Sequence, residues 1–327
     1  MTQKALKLSV ACWDYDRTLP LVDGMVPIEG CAPSFALLRP EDAFARAFRT
    51  AEFDATEISL SNYTTALSRG LLAYAAIPVF LSRAFRLGAI YLRDDKGIGR
   101  PADLAGKRVG LQEFEMTAAV VVRGMLRDVY GVDTDRIRWI VGGIEQSGPS
   151  VTQRRQGQGR GDITPAPEGR TLDAMLADGE IDALVSLRVP PSVAAGHPRI
   201  RRLFANWRAE EEHYFAKTGI FPIMHAVGVR KTLLAEHPWL GRSIYKAFLQ
   251  AKDFAVAQLA ANAPTGLPWT TAALLASRVV MGDDIWPYGI AANRKSIDAL
   301  LRWSKHDGLQ ERAVSLEELF HPTVMDT

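Results

Sequence analysis

Leu6, Leu8 and Val10 occupy every second position near the start of the chain, with Lys7 and Ser9 between them. That is the period of a strand with one buried face, and it predicts a strand over residues 6–12. A different spacing follows, in which Ala43, Phe44 and Ala47 share one side of a helix over 42–49. Residues 53–60 predict a second strand and 62–66 a helix. Two more strands are predicted over 75–80 and 89–92, with Pro78 near a strand end because proline cannot donate to a ladder. Strands alternating with helices predict an α/β fold built on mostly parallel, doubly wound sheets.

The pattern breaks at 94–104, which is charged and carries Gly97, Gly99 and Pro101. Beyond it the run Lys107-Arg108-Val109-Gly110-Leu111 reads as a strand entering a helix over 116–130, followed by a strand over 137–142. Residues 146–170 are polar and rich in Gly, Arg and Gln, and are expected to form a long surface loop. A helix over 171–178 and a strand over 183–186 come next, then a strand-like run over 219–229. Helices are expected over 240–260, 271–280 and 296–303. Crossings near 94–105 and 215–222 predict a two-lobed molecule, lobe 1 from 1–94 plus 223–327 and lobe 2 from 95–222. The ligand cleft is expected between the lobes, at the carboxyl ends of the strands.

Composition narrows the function classes. A chain of 327 residues with 47% hydrophobic and 23% charged side chains builds a core without staples. The net charge of +2, from 39 basic and 37 acidic residues, leaves no global footprint for nucleic acid. Anion binding must then come from individually placed arginines. Cys12 and Cys31 lack zinc or CxxC spacing, and reduced thiols fit a cytoplasmic protein. The start of the chain reads as a first strand, not a secretory signal, and no run approaches the length of a membrane span. No metal motif, Walker loop, dinucleotide fingerprint or nucleophile elbow occurs, so no metal or cofactor is expected.

Several residues carry chemistry. Arg83 and Arg86, three apart, turn to one side if they lie on a helical turn, and paired guanidiniums grip carboxylates. The plainer reading is a solvated surface pair. Asp14 and Arg17 follow the first strand, either at a ligand-binding strand end or in a capped turn. Alternation puts Glu57, Ser59 and Ser61 on one face, while Ser61 and Asn62 equally suit a helix cap. Thr117 opens a helix that holds a carboxylate at its N-terminus. Arg188 is either an anion contact or half of an ion pair. His225, inside an apolar run, is either a satisfied core histidine or a proton donor. Trp286 and Tyr288 either wall a cleft or pack beneath helices.

Five segments resemble the 4,5-dihydroxyphthalate decarboxylase family: ACWDYDRTLPLVDG, IPVFLSRAFRLGAIYLR, GKRVGLQEFEMTAAVVVRGML, TGIFPIMHAVGVRK and DDIWPYGIAANRKSIDAL. The resemblance runs from about Leu6 to Phe320. It implies the two-lobed type II periplasmic-binding-protein fold and a homo-oligomer. It also implies decarboxylation of an aromatic dicarboxylate, 4,5-dihydroxyphthalate to protocatechuate and carbon dioxide, in phthalate catabolism and without a cofactor. Under that reading His225 or Glu57 supplies the proton, Asp14 meets a phenol, and Arg17, Arg83 and Arg86 grip carboxylates. The alternative is a non-catalytic solute-binding protein for a small aromatic or carboxylate anion. Leu87, where relatives more often carry a polar side chain, leaves a different lyase of the same fold open.

Overall fold

The computed structural model describes residues 4–148, 159–261 and 267–327. Eleven strands are found among the described residues: β1 (Leu6–Cys12), β2 (Cys31–Leu37), β3 (Ala55–Ser59), β4 (Tyr74–Arg83), β5 (Ile90–Arg93), β6 (Arg108–Leu111), β7 (Arg138–Val141), β8 (Asp162–Pro165), β9 (Ala183–Val185), β10 (Ile200–Arg202) and β11 (Ile223–Arg230). They form a five-stranded sheet, β2-β1-β3-β11-β4, and a six-stranded one, β10-β5-β9-β6-β7-β8. Both sheets are mixed. In the first, β1 runs parallel to β2 and β3, while the returning β11 is antiparallel to β3 and β4. In the second, β6 pairs in parallel with β7 and β9, and β7 with β8, while β5 is antiparallel to both of its neighbours, β9 and β10.

The chain divides into two compact units, Met1–Arg83 with Ile223–Ile297 and Val314–Thr327, and Ala84–Pro222 with Asp298–Ala313. Where the sequence suggests two crossings, the chain makes four, and the first falls before residue 84, not at 94. The segment Asp298–Ala313 joins the second unit for two reasons. Trp303 is buried against Gly124, and Asp307 takes Arg123 at 2.7 Å and Arg127 at 2.8 Å. The core of this unit packs Leu172, Met175, Leu176, Ile181 and Leu184 against Tyr91.

Three elements differ from the sequence expectation. β2 carries Pro33 and is half-buried, so it shows no clean alternation; proline is tolerated there because β2 is an edge strand. β4 continues through Pro78 as far as Arg83, again on an edge, where β11 meets it with two register shifts. Within 146–170, β8 adds to β7 in parallel, so part of the anticipated loop is sheet; residues 149–158 lie outside the described part.

Cys31 pairs with Leu6 and Cys12 with Leu37, at opposite ends of the β1–β2 ladder. Six residues of strand hold them roughly 20 Å apart, beyond the ~7 Å Cα separation a disulfide tolerates. Both are free thiols. No helix among the described residues is long and apolar enough to cross a membrane.

Candidate functional site

β3 lies in the middle of the first sheet and all five of its residues are buried. Glu57 at its centre is fully buried, so its carboxylate needs partners supplied by the protein. Three donors meet it. The Trp13 backbone N–H reaches Oε2 at 3.2 Å, and the Tyr15 hydroxyl and His225 Nδ1 both reach Oε1 at 2.7 Å. The register explains the histidine. β11 pairs Val227 with Glu57 and His225 with Ser59, so His225 is Glu57's diagonal neighbour on the same face, within reach of a long side chain. A register shift on each side of His225 along β4 adds a bulge, a device that re-aims a side chain. The Phe44 ring meets the imidazole edge-on at 4.8 Å.

The carboxylate offers acceptors, so the shared proton belongs to Nδ1 of His225, and Nε2 is left for other work. Tyr15 is a donor throughout. Burial, then the charge of Glu57, pushes its phenol far above the usual range.

Tyr15 also forms one wall for Arg17. The guanidinium lies 4.2 Å from the Tyr15 ring and 4.2 Å from the Trp286 ring. Its Nε and Nη2 donate to the Leu81 carbonyl, and Nη1 pairs with Asp16 at 3.0 Å. Trp286 is fixed in turn by Nε1–H to the Phe80 carbonyl at 2.8 Å. Next in the chain, the Pro287 carbonyl accepts from Arg83 Nη1 at 2.9 Å. Arg83 is buried, and desolvation, outweighing the attraction of Asp284 and Tyr288, lowers its pKa to about 9. It remains a cation at neutral pH with little water around it. Tyr288 is buried with its hydroxyl lacking a hydrogen-bond partner among the described residues. Burial raises its pKa first, and the charges of Arg17, Asp16, Glu57 and Arg83 all act on it.

Glu57, His225, Arg17, Arg83, Trp286 and Tyr288 thus belong to one unit. Asp14 is exposed in the same loop, and its neighbour Tyr15 is the residue that reaches Glu57. Sequence reading missed Tyr15; its only signal is its place between Asp14 and Asp16 after a buried strand. Ser61 does not continue the alternation of Glu57 and Ser59, because the helix Leu60–Ser68 begins first. Ser61 and Asn62 lie in its first turn, where Asn62 Oδ1 is buried without a hydrogen-bond partner among the described residues. Arg83 and Arg86 share no helical turn: Arg83 ends β4 in the first unit and Arg86 lies in the second. Burial brings the Arg86 pKa down to about 10 against the attraction of Glu211. Thr117 is buried at the start of the helix Thr117–Tyr130, and Arg188 is exposed, its carbonyl accepting from Ser186 at 2.6 Å. Leu87 is a core residue of the second unit.

A groove of about 530 Å³ lined by Lys4, Trp239, Arg242 and Lys246 shares no residue with the Glu57 cluster. No group of three or more His, Cys, Asp or Glu among the described residues is placed to hold a metal.

No family model matches the chain. A 4,5-dihydroxyphthalate decarboxylase of Comamonas testosteroni is 42% identical over 327 residues, covering 98% of each chain. A second, from Pseudomonas putida, is 43% identical over 199 residues, 61% of this chain and 77% of that one. Among solved structures, a putative periplasmic sulfonate-binding protein of Methylobacillus flagellatus matches with a TM-score of 0.59 at 10% identity, over 99% of this chain and 94% of that one. The periplasmic aliphatic sulphonate-binding protein of Escherichia coli matches with a TM-score of 0.54 at 14% identity, over 97% and 92%. At that identity the structural likeness shows the fold alone.

Proposed function

This chain belongs to the 4,5-dihydroxyphthalate decarboxylase family, and from that premise we propose that it converts 4,5-dihydroxyphthalate to protocatechuate and carbon dioxide. The observation that carries the reading is the hydrogen-bonded set Tyr15–Glu57–His225 beside the stacked cation Arg17.

The substrate is two carboxylates and two phenols on one ring, each phenol para to a carboxylate. A proton adds to the ring carbon that bears the leaving carboxylate. The para phenol gives up its own proton and the ring becomes a dienone. The bond to the carboxylate then breaks, its electron pair returns to the ring, carbon dioxide leaves and the phenol is reprotonated. One proton replaces one carbon dioxide, and no oxidant or reductant enters.

His225 is the acid in this scheme, delivering from Nε2 while Nδ1–H stays on Glu57. Glu57 orients the ring and stabilises its charged form, and Tyr15 and the Trp13 amide hold Glu57. Arg17 and Arg83 take the carboxylate that stays, and the Tyr288 hydroxyl meets a substrate oxygen. The Trp286 ring packs beside Arg17 as part of the same wall. The same reading places the protein in the cytoplasm, in the breakdown of phthalate.

The test is incubation of the pure protein with 4,5-dihydroxyphthalate, with and without a chelator, following carbon dioxide and protocatechuate. Product in both samples is expected. Absence of product in both, with a melting temperature raised by the compound, would instead identify a binding protein.

A further inference from the structure

The buried face of the helix Leu240–Ala260 repeats apolar side chains at helical spacing, Ile244, Ala247, Phe248, Ala251 and Ala255, and carries Lys252 among them. Lysine is almost never fully buried unless it is paired. The Lys252 side chain is 3% exposed, and its ammonium reaches Asp284 Oδ2 at 2.9 Å and the neighbouring Asp253 at 2.8 Å. The proton transfer and the carboxylate grip described above use neither Lys252 nor Asp284.

Asp284 faces two ways. Oδ2 holds Lys252, and Oδ1 accepts the backbone N–H of Trp286, two residues further on, at 3.1 Å. That local bond is an Asx turn, which fixes the backbone that follows the aspartate. The chain enters the site directly after it. The Trp286 ring lies 4.2 Å from the Arg17 guanidinium, the Pro287 carbonyl accepts from Arg83 at 2.9 Å, and Tyr288 is buried. Lys252 Nζ also lies 5.8 Å from the centre of the Tyr288 ring, within cation–π range. One ammonium therefore touches this segment at 284 and again at 288. Asn293 holds its far side, Nδ2 donating to the carbonyls of Pro287 at 3.0 Å and Gly289 at 2.8 Å.

We propose, on the decarboxylase reading of this site, that Lys252 is a positioning residue for substrate binding, acting through Asp284 to hold the segment Trp286–Tyr288 against Arg17 and Arg83. Stability does not call for the pair. Apolar side chains of similar volume replace buried ion pairs at little or no cost. What an apolar side chain cannot do is hold a carboxylate that is itself 50% exposed. With Lys252 gone, water competes for Asp284 and the Asx turn loosens. Trp286 then loses its backbone anchor, and the wall that meets an anionic ring is less ordered. His225 and Glu57 pair through β3 and β11, away from this tether, so the loss falls on binding and not on proton transfer.

Kinetics and amide hydrogen exchange of the full chain test this. Lys252→Met is expected to raise KM for 4,5-dihydroxyphthalate by about tenfold, the size typical of coupled contacts, and to leave kcat as in the wild type. Without substrate, exchange should quicken in peptides covering 284–289 and stay unchanged in those covering β3 and β11. Asp284→Asn changes a half-exposed side chain, so it keeps the test open if the lysine variant folds poorly, and it should give the same two results. The double variant should match either single one, because both substitutions break one link. KM and exchange both unchanged in Lys252→Met would overturn the proposal. So would a fall in kcat at constant KM, or effects that multiply in the double variant. A wild type without turnover would sink the decarboxylase reading instead. Exchange measured without substrate then decides for Lys252: faster at 284–289 alone supports the tether, and no change overturns it.

Discussion

Glu57 accepts from three donors at once, so each partner's removal has a different effect. His225→Asn keeps a side chain of similar reach but cannot move a proton at the required point. Turnover should fall by roughly 10²–10⁴, the range for a lost general acid, while the substrate still raises the melting temperature. Unchanged turnover would remove His225 from the chemistry. Tyr15→Phe acts differently. It keeps the ring that supports Arg17 and loses only the hydroxyl on Glu57 Oε1. A hydrogen bond to a charged group is worth ~1.5 kcal/mol, so kcat should drop about tenfold. KM should stay nearly constant, because the cation stack survives; a change confined to KM would assign Tyr15 to binding alone. The two candidate acids were legible in the sequence as single residues. Glu57 is a charge in an otherwise apolar strand and His225 a polar residue in an apolar run. Their pairing was not legible, because it depends on the antiparallel return of β11 and a diagonal contact across it. Tyr15 was hidden for a related reason, since it acts through a loop that carries no period.

Helices and strands were read well where burial is one-sided. The alternation of β1 and the apolar stripe of the helix Pro40–Thr50 both reach the structure within two residues of expectation. Edges were read badly. β2 and β8 pair on one side only, are largely unburied, and so leave no hydrophobic rhythm to find. At this scale Gly124 allows a sharp test, because two effects of known size oppose each other. By helix propensity, alanine in its place should stabilise by ~1 kcal/mol. By packing, the new methyl carbon would sit 2.1 Å from the Trp303 ring. Trp303 is almost fully buried and its Nε1 is tied to Asp128 at 2.8 Å, so it has nowhere to yield. Overpacking of this kind costs ~1–3 kcal/mol, and here the upper end applies. Gly124→Ala should lower the urea midpoint; a rise would show that Trp303 moves freely.

For the whole molecule, the tyrosines connect fold and pH. Seven of the eight have their hydroxyls pushed up by burial, Tyr63 to about 12. In the unfolded chain a phenol ionises near pH 10. Above that, the unfolded state has released protons that the folded state keeps, so stability falls as pH rises. Absorbance of phenolate should therefore appear in one step, together with loss of circular dichroism, rather than as a gradual titration centred near 10. A smooth titration with the fold intact would mean that these rings are wetter than their burial implies.

The sheet order also dictates a timetable for biosynthesis. β3 obtains its second neighbour only when β11 arrives, and 168 residues separate Glu57 from His225. At ~5–20 residues per second, a ribosome leaves that central strand half-paired for roughly 10–30 s. During the interval a carboxylate destined for full burial stays hydrated, and it keeps the exposed edge of β3 charged and less inclined to join a neighbouring nascent chain. The carboxylate that will later take a hydrogen bond from a histidine thus guards the strand until that histidine has been made.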